Sequence, residues 1–227
     1  MKIDPHVHTS GISLCSRINF SDMIDQKKLA GYDAVVLTNH CQPWYYQPQD
    51  HFDWISKFLN EYYGAKEYGK KKGIKVFLGV EISVAHPHWS DFLIYGTDES
   101  FFTQSPCFYN LTQEQLFKYC EEHGALMVQA HPFRDKHSPA NPEYMHGVEI
   151  NLRPQDFERR SLVQAFASEH NLLVTCGSDY HIESMKEFGG MIFPDEIQDS
   201  VQMAKHLIKT NESTLFFENE VVKYKKR

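Results

Sequence analysis

His6 and His8 are two residues apart in a segment that reads as a strand, with Ile3 before them and Val7 between them. Alternate residues of an extended chain share a face, so both imidazoles leave it on one side. A pair of neutral imidazoles is the beginning of a site for a divalent transition metal. In a chain with 13 histidines such a pair carries little weight alone. Weight comes from the residues that follow it: His40, Glu81, His131, Asp179 and His181 are all metal-ligand types. One zinc takes three or four protein ligands, and this set exceeds that number. Carboxylates such as Glu81 and Asp179 can bridge ions. Two ions roughly 3.5–4 Å apart stabilise both the entering and the leaving oxygen of a phosphoryl displacement. The mixed nitrogen and oxygen donors suit zinc, manganese or iron.

Strand-like and helix-like segments alternate along the chain. A helix is expected over 21–30 with Ser21 as its N-cap, then a buried apolar strand at 34–38 that ends in Asn39-His40-Cys41. The longest helix, 50–72, carries an apolar stripe of Phe52, Ile55, Phe58, Leu59, Tyr62 and Tyr63, and its final lysines suit the helix dipole. Strands follow at 75–80, ending at Glu81, and at 91–96. Thr112 and Gln115 form a capping box for a helix that ends at His123-Gly124. A strand at 125–129 delivers His131; another lies at 147–150, and after a helix at 162–169 a strand at 172–176 delivers Asp179 and His181. A last helix at 195–209 precedes a strand at 214–217, and the basic residues beyond it read as a frayed, solvated end.

Such alternation predicts parallel strands with crossover helices. The ligand-type residues come from the carboxyl ends of five different strands. That is the habit of a barrel, whereas a doubly wound sheet gathers its site at one switch point. The expected fold is therefore α/β, a distorted barrel with its metal site at the carboxyl ends of the strands. It forms one domain over 1–218 with a short basic tail at 219–227.

Hydrophobic residues make up 41% of the 227, ample for a core. The net charge of −7 argues against a broad basic surface for duplex nucleic acid, though not against a local patch. No apolar run reaches membrane-spanning length and MKIDPH opens no secretory signal, so a soluble, cytoplasmic protein is expected. Five cysteines without a C-x-x-C pair fit reduced thiols. The sequence leaves the oligomeric state open.

The ordered motifs His6-x-His8, Thr38-Asn39-His40, Gly79-Val80-Glu81, Ala130-His131-Pro132 and Gly177-Ser178-Asp179-x-His181 resemble the PHP (polymerase and histidinol phosphatase) superfamily. The resemblance implies a distorted (β/α)7 barrel holding two or three divalent metal ions (zinc, manganese or iron) and hydrolysing phosphoesters. It implies that His6 and His8 bind a first ion with Glu81 as bridge and Asp179 as further ligand. Glu81 and His131 would hold a second, and His40 and His181 a third. A phosphomonoester would be cut by metal-activated hydroxide, with Glu81, Asp179 and His181 as the catalytic set and His181 as proton donor.

This chain departs from the family pattern in three places. Asn39 stands where an aspartate is frequent. Asp91 aligns where a histidine usually completes the second position, with His86 and His88 as alternatives. In the loop after the first motif Cys15 is the soft donor in place of a histidine. Arg17, Arg134 and Arg153 follow strand ends and are candidate donors to a small phosphorylated substrate. Tyr45, Tyr46 and Tyr180 are candidates for the mouth of the site. The remaining histidines, 51, 123, 137, 146, 170 and 206, are expected to be structural or exposed. Competing readings are a nuclease or phosphotyrosine phosphatase of the same superfamily, an amidohydrolase barrel, which also opens with H-x-H, and a non-catalytic metal-binding barrel.

Overall fold

The protein, seen here in a computed structural model, is described over residues 1–85, 89–134, 138–183, 189–217 and 220–226. Strand β1 (Lys2–Val7) runs parallel to β2 (Ala34–Leu37), with α1 (Phe20–Leu29) connecting them. Asn19, not Ser21, caps α1: its Oδ1 accepts from the Asp22 backbone N–H at 2.9 Å, and Ser21 already lies inside the first turn. The chain continues through β3 (His40–Cys41) and α2 (His51–Lys72) to β4 (Lys75–Leu78), which is parallel to β2. The buried face of α2 is His51, Trp54, Ile55, Phe58, Leu59, Tyr62, Ala65 and Gly69. Phe52 (66% exposed) and Tyr63 (41% exposed), expected in the stripe, sit at its edges and face water.

Strand β5 (Val80–Val84) does not simply prolong β4. Gly79 separates them because its α-carbon passes within contact of β2: a Cβ there would lie 2.7 Å from Val36 Cγ1. Beyond Leu37 the chain likewise moves on to β3, and with β3 and β5 it passes from the six-stranded sheet that contains β1, β2 and β4 into a second six-stranded sheet. The second sheet continues with β6 (Ser90–Tyr95), then α3 (Glu99–Thr103), α4 (Gln113–Glu122), β7 (Leu126–Gln129) and β8 (Gly147–Asn151). After α5 (Pro154–Phe157) and α6 (Arg160–His170) it ends at β9 (Leu173–Gly177). The expected capping box of α4 is present on both sides, Thr112 to Gln115 and back.

The last stave returns to the first. Tyr180, just beyond β9, bridges Val7 in parallel, with His8 N–H donating to the Tyr180 carbonyl at 3.0 Å. Seven staves (β1, β2–β3, β4–β5, β6, β7, β8, β9) thus surround one interior as a distorted barrel. One expectation about direction is corrected. β6 runs antiparallel to both neighbours, so its first residues, not its last, lie at the end where the other staves finish.

The rest of the chain flanks β1: β10 (Gly189–Ile192), α7 (Ser200–Thr210), β11 (Glu212–Phe217) and β12 (Glu220–Lys225). α7 starts five residues later than the hydrophobic pattern indicated, where Asp199 Oδ1 accepts from Gln202 N–H at 2.8 Å. The expected solvated tail is corrected as well. Residues 220–225 pair antiparallel with all six residues of β11, which gives that otherwise open edge a partner. No helix among the described residues is long and apolar enough to cross a membrane.

Candidate metal centre

At the carboxyl ends of the staves lies a cavity of about 660 Å³ whose wall includes Cys15, His40, Asp91, His131, Asp179 and His181. Behind the His40 and His131 side of this wall is Glu81, a fully buried carboxylate on β5. Glu81 Oε2 is 2.9 Å from His40 Nδ1, 3.2 Å from His8 Nε2 and 3.3 Å from His6 Nε2. Its other oxygen, Oε1, is 3.2 Å from His131 Nε2. Asp179 Oδ1 closes the arrangement at 3.4 Å from both His6 Nε2 and His8 Nε2.

Two kinds of contact have different usual lengths. A charge-assisted N–H···O hydrogen bond is about 2.7–2.9 Å long. Two ligands at 2.0–2.1 Å from one tetrahedral zinc lie about 3.4 Å apart. The four contacts of His6 and His8 with Glu81 and Asp179 fall at 3.2–3.4 Å, a spacing that atoms sharing an ion would have, and one of them, His6 Nε2 to Glu81 Oε2, also meets hydrogen-bond geometry. His8 Nε2 is fully buried and has no hydrogen-bond partner of acceptable geometry. An orphaned buried nitrogen of this kind needs a ligand. The donor chemistry and spacing therefore fit divalent metal ions.

Three overlapping groups have ligand atoms within 4.8 Å of one another: His6, His8, Glu81 and Asp179; Glu81, Asp91 and His131; and His8, His40 and His181. Every metal-type residue singled out by the sequence motifs is in one of them. Asp91 reaches the site because β6 is reversed, which brings its second residue opposite Ser83 at the functional end. Its carboxylate accepts a hydrogen bond from the Ser83 hydroxyl. His86 and His88 lie outside the described residues, as does His137.

Two site residues hold backbone conformations that side chains rarely adopt: His131 at φ 33° and Asp179 at φ 55°. Such strain persists where surrounding contacts over-determine it, and it gathers at functional sites. Asp179 is held firmly. Its Oδ2 accepts from Arg134 Nη2 at 2.7 Å and forms an ion pair with Arg153 Nε at 3.1 Å. Arg134 and Arg153 thus line the cavity and brace a ligand at once, while Arg17 is exposed on the cavity wall. Of the three tyrosines, Tyr45 stands at the site, with its ring 5.9 Å from that of His40. Tyr46 is buried on Trp54 and Tyr180 packs under the Lys27 ammonium, and neither lines the cavity.

The electrostatics of the protein without ions are strongly coupled. Burial opposes the Glu81 carboxylate, but His40 and His6 outweigh it and hold the acid well below its ordinary value. Burial likewise opposes Asp179, and His6 and Arg134 prevail. Burial would lower His40 and His181, yet Glu81 lifts the first to about 10 and Asp179 the second to about 9. His6 is raised well above its usual value, against burial, by Glu149, Asp179 and Glu81. His8 goes the other way, to about 3, through burial and the charges of His181 and His40. Asp91 is raised by burial and by Glu81.

Four residues outside the motifs do positioning work. Glu149 Oε1 is 2.7 Å from His6 Nδ1, which fixes the ring so that Nε2 faces Glu81, and its Oε2 accepts from the His131 backbone N–H. The space is close-fitting: a Cβ on Gly177 would lie 2.8 Å from Glu149 Oε1 and 2.5 Å from His6 Cβ. Ser13 Oγ is 3.2 Å from His8 Nδ1 and donates to Asn39 Oδ1. Asn39 also accepts from Thr9 N–H, and its amide donates to Thr9 Oγ1, whose own proton goes to Glu61. An amide, not a carboxylate, satisfies that chain of donors, which accounts for Asn39. Lys27 and Asp4 form a fully buried pair beneath the site. The one signal for Glu149 and Asp4 in the sequence is a carboxylate flanked by buried apolar strand residues, Ile3 beside Asp4 and Val148 and Ile150 beside Glu149.

Orienting carboxylates of this kind typically contribute 10–100-fold to metal affinity. Glu149→Gln is accordingly expected to weaken binding at the His6 position by roughly that factor. Competition with a chromophoric chelator measures it; an unchanged affinity would remove Glu149 from this role.

A family model described as PHP domain matches residues 4–215. Among solved structures, PsfC from Pseudomonas syringae superposes with a TM-score of 0.65 at 18% identity, covering 98% of this chain and 90% of that one. A protein assigned by inference as a metal-dependent phosphoesterase, from Bifidobacterium adolescentis, gives 0.56 at 15% identity over 91% and 96% of the two chains. An amidohydrolase from Chromobacterium violaceum gives 0.59 at 14% identity over 91% and 96%. At these identities the likeness is one of fold. No curated protein matches the sequence.

Proposed function

This chain belongs to the PHP domain family, and on that premise we propose that it is a metal-dependent hydrolase of phosphomonoesters. The observation that carries the reading is Glu81: one buried carboxylate whose two oxygens face different imidazole sets, so that it can join two ions. His6, His8, Glu81 and Asp179 would hold the first ion, and Glu81, Asp91 and His131 the second. When bound, such ions polarise a phosphoryl oxygen and make water nucleophilic near neutral pH.

The protein's own groups supply the rest. Arg17, Arg134 and Arg153 line the cavity, and in this reading their guanidinium forks would match phosphate oxygens turned away from the ions. His181 Nδ1 lies 2.8 Å from the Asp179 carbonyl, so its Nε2 faces the cavity, either as a ligand or as proton donor to the leaving oxygen. A cavity of about 660 Å³ is of a size that suits a small phosphorylated molecule.

The test is direct. The full chain, purified without chelator, is expected to carry transition metal and to hydrolyse members of a phosphomonoester panel when zinc, manganese or iron is supplied singly. Stripping the metal abolishes turnover and restoring it recovers the activity. Absence of metal, or hydrolysis unaffected by His8→Ala, would remove the reading; turnover of cyclic amides alone would favour the amidohydrolase alternative.

Metal affinity is also expected to rise with pH. His40 and His181, lifted to about 10 and about 9, are imidazolium in the ion-free protein at neutral pH and must release their protons before they can bind. Each proton released steepens the dependence by about one decade per pH unit. Calorimetry from pH 6.5 to 8.5 in buffers of different ionisation enthalpy reads both quantities, and a flat profile with no proton release would contradict it.

A further inference from the structure

The third group, His8, His40 and His181, contains imidazoles and no carboxylate, and Cys15, outside that group, stands beside one of its members. Cys15 Sγ is 3.1 Å from His181 Nε2. This meeting is set by backbone, not by a chance rotamer. Arg17 N–H donates to the His181 carbonyl at 2.9 Å, and the Ser16 hydroxyl donates to the same oxygen at 3.2 Å. Ser10 N–H donates to the Ile18 carbonyl at 2.8 Å, which closes the loop at its base. The loop that carries Cys15 is therefore pinned to the segment that carries His181. His8, the remaining member of the group, turns its Nε2 toward Glu81 and Asp179 at 3.2 and 3.4 Å, which leaves His40, His181 and Cys15 as the donors of this position.

We propose that Cys15 is a metal ligand, completing with His40 and His181 a nitrogen–sulfur position that takes zinc in preference to manganese. The spacing is suitable. With Zn–S near 2.3 Å and Zn–N near 2.0–2.1 Å, sulfur and nitrogen on one tetrahedral ion are about 3.5 Å apart. A shift of a few tenths of an ångström takes the observed 3.1 Å to that value, within reach of a side chain on the exposed cavity wall. Thiolate sulfur favours zinc over the oxygen-preferring manganese, whereas the Glu81-bridged positions are rich in oxygen. The protein would then hold ions of two different preferences in one cavity. On this assignment His181 is a ligand rather than the proton donor.

The proposal rests on the metal-dependent reading above and has its own readout. Chelator-stripped protein is reloaded with cobalt(II), and the near-ultraviolet thiolate-to-cobalt charge-transfer band is recorded alongside zinc stoichiometry. The wild type is expected to show the band, and Cys15→Ser to lose it together with one zinc equivalent. Zinc affinity at that position should fall by about 100-fold or more, above the usual effect of an orienting partner. Cys15→His should restore the zinc equivalent without the band. A wild type that takes up cobalt with no band, or a Cys15→Ser variant that retains every zinc equivalent, overturns the proposal. In either case two bound ions and phosphomonoester hydrolysis leave the functional reading standing. Protein that binds no metal at all overturns both.

Discussion

Glu81→Gln is expected to lower kcat/KM for phosphomonoester hydrolysis by about three orders of magnitude or more, a loss of roughly 4 kcal/mol of transition-state stabilisation. The amide has the volume of the acid but one oxygen and no charge, so it cannot join two ions. Glu81 stands within 3.3 Å of four imidazole nitrogens, and among the ion pairs of the described residues it alone meets ring nitrogens of both the His6–His8 pair and His131. Elemental analysis should show a loss of bound metal, and steady-state kinetics the loss of rate. A second consequence separates this from simple misfolding. Glu81 is the first among the groups that raise His40, so in the ion-free variant that imidazolium should titrate well below about 10. Histidine resonances observed by NMR across pH 6–10 read the shift. A Gln variant that keeps its full metal complement and a rate within tenfold of wild type would contradict the bridging role.

Lys27→Met is expected to destabilise the protein by about 3–5 kcal/mol, the usual result of removing one partner of a buried ion pair. For a chain of this size that corresponds to a fall in Tm of roughly 6–20 °C. Lys27 is fully buried on α1, with Nζ 2.6 Å from Asp4 Oδ2, 3.2 Å from Ser178 Oγ and 4.1 Å from the centre of the Tyr180 ring. Asp4 Oδ1 in turn accepts from the backbone N–H of Ser178 and of His6. The pair therefore ties the first ligand strand to the segment bearing Asp179 and His181. Losing the cation strands a carboxylate in an apolar interior. Removing both charges together avoids that penalty, so Asp4→Asn with Lys27→Met should recover most of the stability while still loosening the site. Chemical denaturation of the two single variants and the double variant forms the cycle. A single Lys27→Met loss below about 1 kcal/mol would mean that water or another cation already compensates Asp4.

Much of the centre was legible in the chain because ligand chemistry restricts residue type. His6, His8, His40, Glu81, Asp91, His131, Asp179 and His181 are all brought into one cluster of ligand groups. Strand periodicity alone puts His6 and His8 on one face, and turn and capping chemistry locates α4 to within a residue. Local pattern was weaker wherever the partner is distant. Whether a strand runs up or down depends on which stave it pairs with, and β6 carries no local mark of being antiparallel. The reversed direction nonetheless decides that Asp91, at the start of its strand, shares an end with residues that finish theirs. Likewise, a C-terminal segment of alternating valine, lysine and tyrosine reads as a polar tail until the open edge of β11 is there to bind it.

The buried polar residues mark the same boundary. Composition and order determined by themselves that this chain gathers imidazoles and carboxylates at strand ends, and hence that its chemistry belongs to divalent ions. Only the tertiary structure decided which oxygen of Glu81 faces which imidazole, that Glu149 aims His6, that Lys27 neutralises Asp4, and that Cys15 comes to rest beside His181. The reason is physical. The type of a ligand is a property of one residue, whereas its orientation and charge depend on groups up to 174 positions away, as between Asp4 and Ser178, that meet only when the last stave closes against the first.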